Sequence, residues 1–150
     1  MDGIVQHDLA HMSTEELTAG EKQFQQYGLT GIRGAAEAGF PLVFDQALPL
    51  YLKTNLTGND RKLITLMMLV SQNDDSNLIK RADYDFELVH EVQNSAKRIV
   101  DFYQAKNKID RKSLDKLIHL CLEHYLSLGG SADLLGLTIF LGEITKRLSN

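Results

Sequence analysis

The sequence predicts an all-α fold, a single-domain bundle of about six helices joined at their ends by glycine-rich polar loops. Three observations carry that prediction. Apolar residues recur at steps of three and four, and no segment sustains the alternation of a strand. Ser and Asp stand in front of the apolar runs, and glycines follow several of them. The third is size and composition: 150 residues, 43% hydrophobic and 24% charged, suit one globular domain with a real core.

The elements follow in order. Residues 1–12 read as a flexible N-terminal tail and 13–150 as the domain. Ser13 and Glu16 make a capping box for a helix to about Tyr27. A glycine-rich connection through Gly28, Gly31, Arg33 and Gly34 has a last part able to coil briefly before Gly39. Residues 40–53 read as helix with a bend near Pro49. Asp60 is placed to cap 61–72, which is apolar nearly all round and therefore central.

Residues 73–77, Asn-Asp-Asp-Ser-Asn, open a polar link to a long helix, about 85–105. That helix carries Phe86, Val89, Ala96, Ile99, Val100 and Tyr103 on its buried stripe. Asp110 caps the next helix, where Leu114, Leu117, Ile118, Cys121, Leu122 and Tyr125 share a face. Gly129 is expected to stop it. Ser131 is expected to start the last helix, which ends near Arg147.

Charge and composition exclude some functions. A net charge of −4 argues against a broad basic face for nucleic acid. The one cysteine, Cys121, rules out a disulfide framework and suits a reduced, buried thiol. Residues 1–12 lack the basic and apolar regions of a signal peptide, and the most apolar run, 134–141, is too short to span a bilayer. The expected location is cytoplasmic, with no membrane and no nucleic-acid partner.

Chemistry is expected at three helix ends. Gly129, Gly130 and Ser131 place backbone N–H groups at a helix N-terminus, where the dipole favours an anion. Asp133 follows close behind and would repel a bare phosphate, so a cation between the two would reconcile them. A glycine C-cap followed by a serine N-cap explains the same residues without any ligand. In the second loop Asp74 and Asp75 sit at the C-terminal end of a central helix, disfavoured by its dipole. A bound Mg²⁺ or an Asx-turn would offset them. In the third, Arg33 among small residues suits phosphate oxygens, with Glu37 one turn on; a surface ion pair is the plain alternative. His7 and His11 have metal-compatible spacing on a helix but fall in the tail, His90, His119 and His124 form no ligand set by spacing, and no nucleophile elbow, Walker loop or dinucleotide fingerprint is present.

Three segments in this order resemble the C-terminal half of the triphosphoribosyl-dephospho-CoA synthase family. They are Leu17-Thr-Ala-Gly20 running into Gly28-Leu-Thr-Gly-Ile-Arg-Gly and Glu37-Ala-Gly-Phe-Pro41, then residues 73–77, then Gly129-Gly-Ser-Ala-Asp-Leu-Leu135. The resemblance extends from about Leu17 to Ile144. It implies an all-α transferase that moves the 5-triphosphoribosyl group of ATP to the 2′-hydroxyl of 3′-dephospho-CoA and releases adenine. The product is the precursor of the prosthetic group of citrate lyase or malonate decarboxylase acyl-carrier subunits.

In that setting Arg33, Gly34, Asn73, Asn77, Gly129, Gly130 and Ser131 would bind substrate, and Asp75 and Asp133 would hold Mg²⁺. Glu37 or Asp75 would accept the proton of the attacking hydroxyl. The chain departs from the family pattern at Ala35, Asp74, Ala82, Asp83 and Leu128. The family's Pro-Lys-Pro-Gly-Leu-Val-Asp and Asn-Thr-His-Lys-Gly motifs are missing. Partners implied are therefore the other half of the fold or a homodimer partner. The alternative function is an inactive truncated homologue serving as a helical interaction or nucleotide-binding module.

Overall fold

A computed structural model describes residues 40–149, and within them the chain is all helix and loop. The expected helix of 13–27 and the residues Arg33, Gly34 and Glu37 lie outside the described residues.

The first element answers to Pro49. Proline has no N–H and its ring crowds the carbonyl four residues back. A π turn, Val43–Ala47, precedes it, closed by the Leu48 N–H reaching Val43 O, and runs into α1, Leu48–Lys53. Helix α2, Gly58–Gln72, is the centre of the bundle: Ile64, Met67, Met68, Leu69 and Val70 are all buried. The hydroxyl of buried Thr65 donates to Arg61 O at 2.8 Å, so it enters the core with its hydrogen bond made.

Helix α3, Ser76–Arg81, and α4, Phe86–Lys106, follow. The α4 stripe is Val89, Val92, Ala96, Ile99, Val100 and Tyr103, spaced three and four apart, and it packs on α2. Phe86 stays largely exposed, and Val92 takes the buried place. Helix α5, Arg111–Glu123, leans on α4, and α6, Gly129–Leu148, lies across α1 and α2. Gly142 lets α6 come close: an added Cβ there would stand 2.5 Å from the Tyr51 ring of α1. The Tyr51 hydroxyl donates to Glu143 Oε1 at 2.6 Å. Burial, then the Glu143 carboxylate, raise the Tyr51 pKa. No helix among the described residues is long and apolar enough to cross a membrane.

Five expectations are corrected. The polar link contains α3, capped by Asp75. Thr57, not Asp60, stands at the start of α2, and Asp60 pairs instead with Arg111 at 2.6 Å. Helix α5 ends at Glu123, five residues before Leu128, in a turn where Leu126 N–H donates to Cys121 O and Tyr125 N–H to Leu122 O. Helix α6 then begins at Gly129, so Ser131 is its third residue. The expected α5 stripe is also only partly used: Leu114 and Leu117 are buried, whereas Ile118 and Leu122 face outward. Cys121 is free and half-buried, and burial pushes its thiol pKa up.

Tyr125 closes α5 in the left-handed region, φ 53°, with its side chain 81% exposed. A side chain costs about 1–2 kcal/mol in that conformation, and glycine escapes it. Tyr125→Gly should therefore raise stability by about 1 kcal/mol. A urea midpoint that moves up checks this; one that falls contradicts it.

Candidate functional site

The loop of residues 73–77 and the first turn of α6 meet. Asn73 leaves α2 in extended conformation, φ −87° and ψ 134°, and Asp75 is extended too, φ −71° and ψ 110°. Extended backbone sends the side chains of 73 and 75 to one side, and Asn77, in the first turn of α3, reaches α6 as well. Asn73 Nδ2 donates to Ser131 Oγ at 3.3 Å. Asp75 Oδ1 accepts from Gly130 N–H at 3.1 Å, and Oδ2 from Ser131 N–H at 2.8 Å. The Asn77 amide lies against Gly129, where an added Cβ would stand 2.9 Å from Nδ2. The two segments thus interlock residue by residue, 73 with 131, 75 with 130 and 131, 77 with 129.

Asp75 does double work in this junction. Its Oδ1 also accepts from Asn77 N–H at 3.0 Å and Leu78 N–H at 3.2 Å, the open donors of α3. One carboxylate therefore caps two helices, and both N-terminal dipole ends favour its negative charge. Only 1% of Asp75 is exposed. Four amide donors replace the water it gives up, which is what makes burying the charge tolerable.

The glycines are there for closeness. A Cβ on Gly130 would come 2.8 Å from Asp75 Oδ1. Two further groups finish the junction: Gln93 Nε2 of α4 donates to Asn73 O at 3.0 Å, and Ser127 Oγ accepts from Gly129 N–H at 3.3 Å. Sequence reasoning missed both. Gln93 carried one signal, a polar residue between Val92 and Ala96 on an otherwise apolar stripe.

This geometry bears on the chemistry expected of five residues, Gly129, Gly130, Ser131, Asp75 and Asp133. The Gly129, Gly130 and Ser131 amides are satisfied by Ser127 and Asp75, so they are not an open nest for phosphate. Asp75, buried with both oxygens engaged, is shielded from a substrate hydroxyl and has lone pairs already committed to amides. Asp133 stands exposed in the second turn of α6. Among the described residues no group of three His, Cys, Asp or Glu side chains stands close enough to hold an ion. A resident Mg²⁺ on Asp75 and Asp133 does not fit this donor set. What the junction offers a ligand is its outer rim, exposed Asp74 and Asn77 beside half-buried Asn73.

The sequence as a whole has a counterpart in one known family. The family model described as ATP:dephospho-CoA triphosphoribosyl transferase matches residues 1–150, and the chain belongs to that family. The match runs beyond the stretch of about Leu17 to Ile144 that the motifs alone marked out. Two similar curated relatives carry the name probable 2-(5''-triphosphoribosyl)-3'-dephosphocoenzyme-A synthase. That of Lactiplantibacillus plantarum is 42% identical over 150 residues, covering 98% of this chain and 53% of the relative. That of Citrobacter koseri is 37% identical over 147 residues, covering 96% of this chain and 48% of the relative. The chain spans about half the length of these relatives. No solved structure matches it.

Two substitutions test the junction by sign. In an open helix interior Gly→Ala stabilises by about 1 kcal/mol. Gly136→Ala, with nothing within 4 Å of the new Cβ, should show that gain in a thermal melt. Gly130→Ala should instead lower the midpoint, because the carboxylate it would strike is held by four donors. Equal gains from both would contradict the packed junction. Asp75→Asn keeps the volume but turns an N–H₂ toward amide donors, and should cost about 2 kcal/mol by urea denaturation.

Proposed function

We propose that this chain is the C-terminal portion of a triphosphoribosyl-dephospho-CoA synthase, binding ATP at the junction of residues 73–77 with α6. The observation that carries the reading is the interlock itself. Two motifs 55 residues apart in sequence, Asp75 and Gly130, are joined by direct hydrogen bonds in a member of the ATP:dephospho-CoA triphosphoribosyl transferase family.

In the proposed reaction the 2′-hydroxyl of 3′-dephospho-CoA attacks C1′ of the ATP ribose. A C1′–O bond forms, the C1′–N bond to adenine breaks, and the hydroxyl proton is taken up as adenine leaves. The triphosphate stays whole and keeps its own Mg²⁺ as counter-ion. Positive charge builds on the ribose as the base departs, as in other glycosyl transfers.

Within that scheme Glu37 is assigned as proton acceptor, and Arg33 with Gly34 as phosphate-binding group. Asn73 and Asn77 present amide groups to the nucleotide. Asp75, Gly129, Gly130 and Ser131 position that rim and touch no substrate. The product would serve an acyl-carrier subunit.

A second reading is supported by the half-length match and by Ala35, where the family carries a carboxylate. It makes the chain a nucleotide-binding module without turnover. Calorimetric titration with Mg·ATP, and an assay of adenine release in the presence of 3′-dephospho-CoA, separate the readings. We expect heat with this chain alone, and adenine release once the separately expressed remainder of the L. plantarum relative is added. Heat without adenine in that mixture would favour the module, and no heat in either would sink both.

A further inference from the structure

Helix α6 is apolar on nearly every side, the pattern of a helix buried all round. The described fold covers only part of it. Ser131, Leu134, Thr138 and Gly142 are buried, and the helix meets α1, α2 and α3. Elsewhere on it Ala132, Gly136, Phe140, Ile144 and Leu148 are exposed at steps of four, Phe140 by 61% and Leu148 by 83%.

A row at steps of four is the ridge that seats in the groove of a second helix, crossing at about −50°. Its small residues, Ala132 and Gly136, lie at the end beside the junction and permit close approach there. Its large ones lie at the far end and supply the apolar area.

We propose that this ridge seats a helix from the part of the family fold that the relatives carry beyond the matched stretch. Two observations choose that occupant. The relatives hold about as much chain again as the stretch they share with this one, and that remainder must bury its own apolar surface. The ridge also begins at Ala132, one residue after Ser131, so interface and candidate site are continuous. A helix lying on it passes the rim formed by Asn73 and Asn77. The seated helix then brings side chains to the open side of the nucleotide site. This inference rests on the family membership and on the place of the site, and not on the transfer chemistry.

Sedimentation of the chain alone, and mixed with the separately expressed remainder of the L. plantarum relative, tests it. Phe140→Glu is compared with the wild type in both. We expect a monomer alone, whose thermal midpoint Phe140→Glu leaves unchanged. We expect a one-to-one complex with the remainder that the substitution weakens by about tenfold or more. A homodimer that Phe140→Glu dissociates would give the ridge to a second copy and overturn the proposal. So would a fall in the midpoint of the isolated variant, which would mean that the chain covers its own ridge. No complex, or one indifferent to the substitution, also overturns it. Adenine release scored in the same mixtures keeps the two claims apart: a sensitive complex without release would refute the transfer activity and leave the docking standing.

Discussion

The buried carboxylate of Asp75 is the interaction on which the arrangement of the described chain turns. Helix N-termini present N–H groups that the helix cannot satisfy, and burying them unpaired costs several kcal/mol. Here α3 and α6 both begin near one point, around the buried Asp75 carboxylate. A single acceptor with two oxygens serves both, with four bonds between 2.8 and 3.2 Å. The same contact fixes where α6 starts, and hence which of its sides meets α1 and α2. It also explains why glycine stands at 129 and 130, where a Cβ would strike Asn77 and Asp75.

The carboxylate also sets what the junction is free to do. An anion seat at the α6 N-terminus is already taken by an anion from the chain itself. Negative charge at that helix end is supplied internally, so the centre of the junction is closed to an external anion and only its rim stays open. The fold thereby separates two jobs that the motifs alone leave merged: buried Asp75 and the glycines hold the loop, while exposed polar groups at 74 and 77 remain for a ligand.

Much of this was legible in the sequence. The α4 stripe, the all-round apolar character of α2 and the Asp110 cap follow from local pattern, and Asp110 accepts from Ser113 N–H at 3.3 Å as an N-cap should. The meeting of residues 73–77 with Gly129–Ser131 was legible only through the family resemblance, because nothing local relates residues so far apart. Its chemistry was not legible, because a carboxylate near glycine amides suits a cation and phosphate as well as it suits a direct cap. Only distance separates those cases.

The end of α5 was missed for a different reason. A left-handed residue usually announces itself as glycine, and here Tyr125 fills the position. The exposed ridge of α6 was illegible too, since an apolar helix reads as buried whether or not its partner is in the chain.

Backbone amide exchange is the most direct test of the shared cap. In the native protein the Asn77, Leu78, Gly130 and Ser131 amides should all exchange slowly, and Asp75→Asn should speed those of both helices in one variant. Rapid exchange at Gly130 and Ser131 in the native chain, or loss of protection confined to Asn77 and Leu78 in the variant, would contradict it.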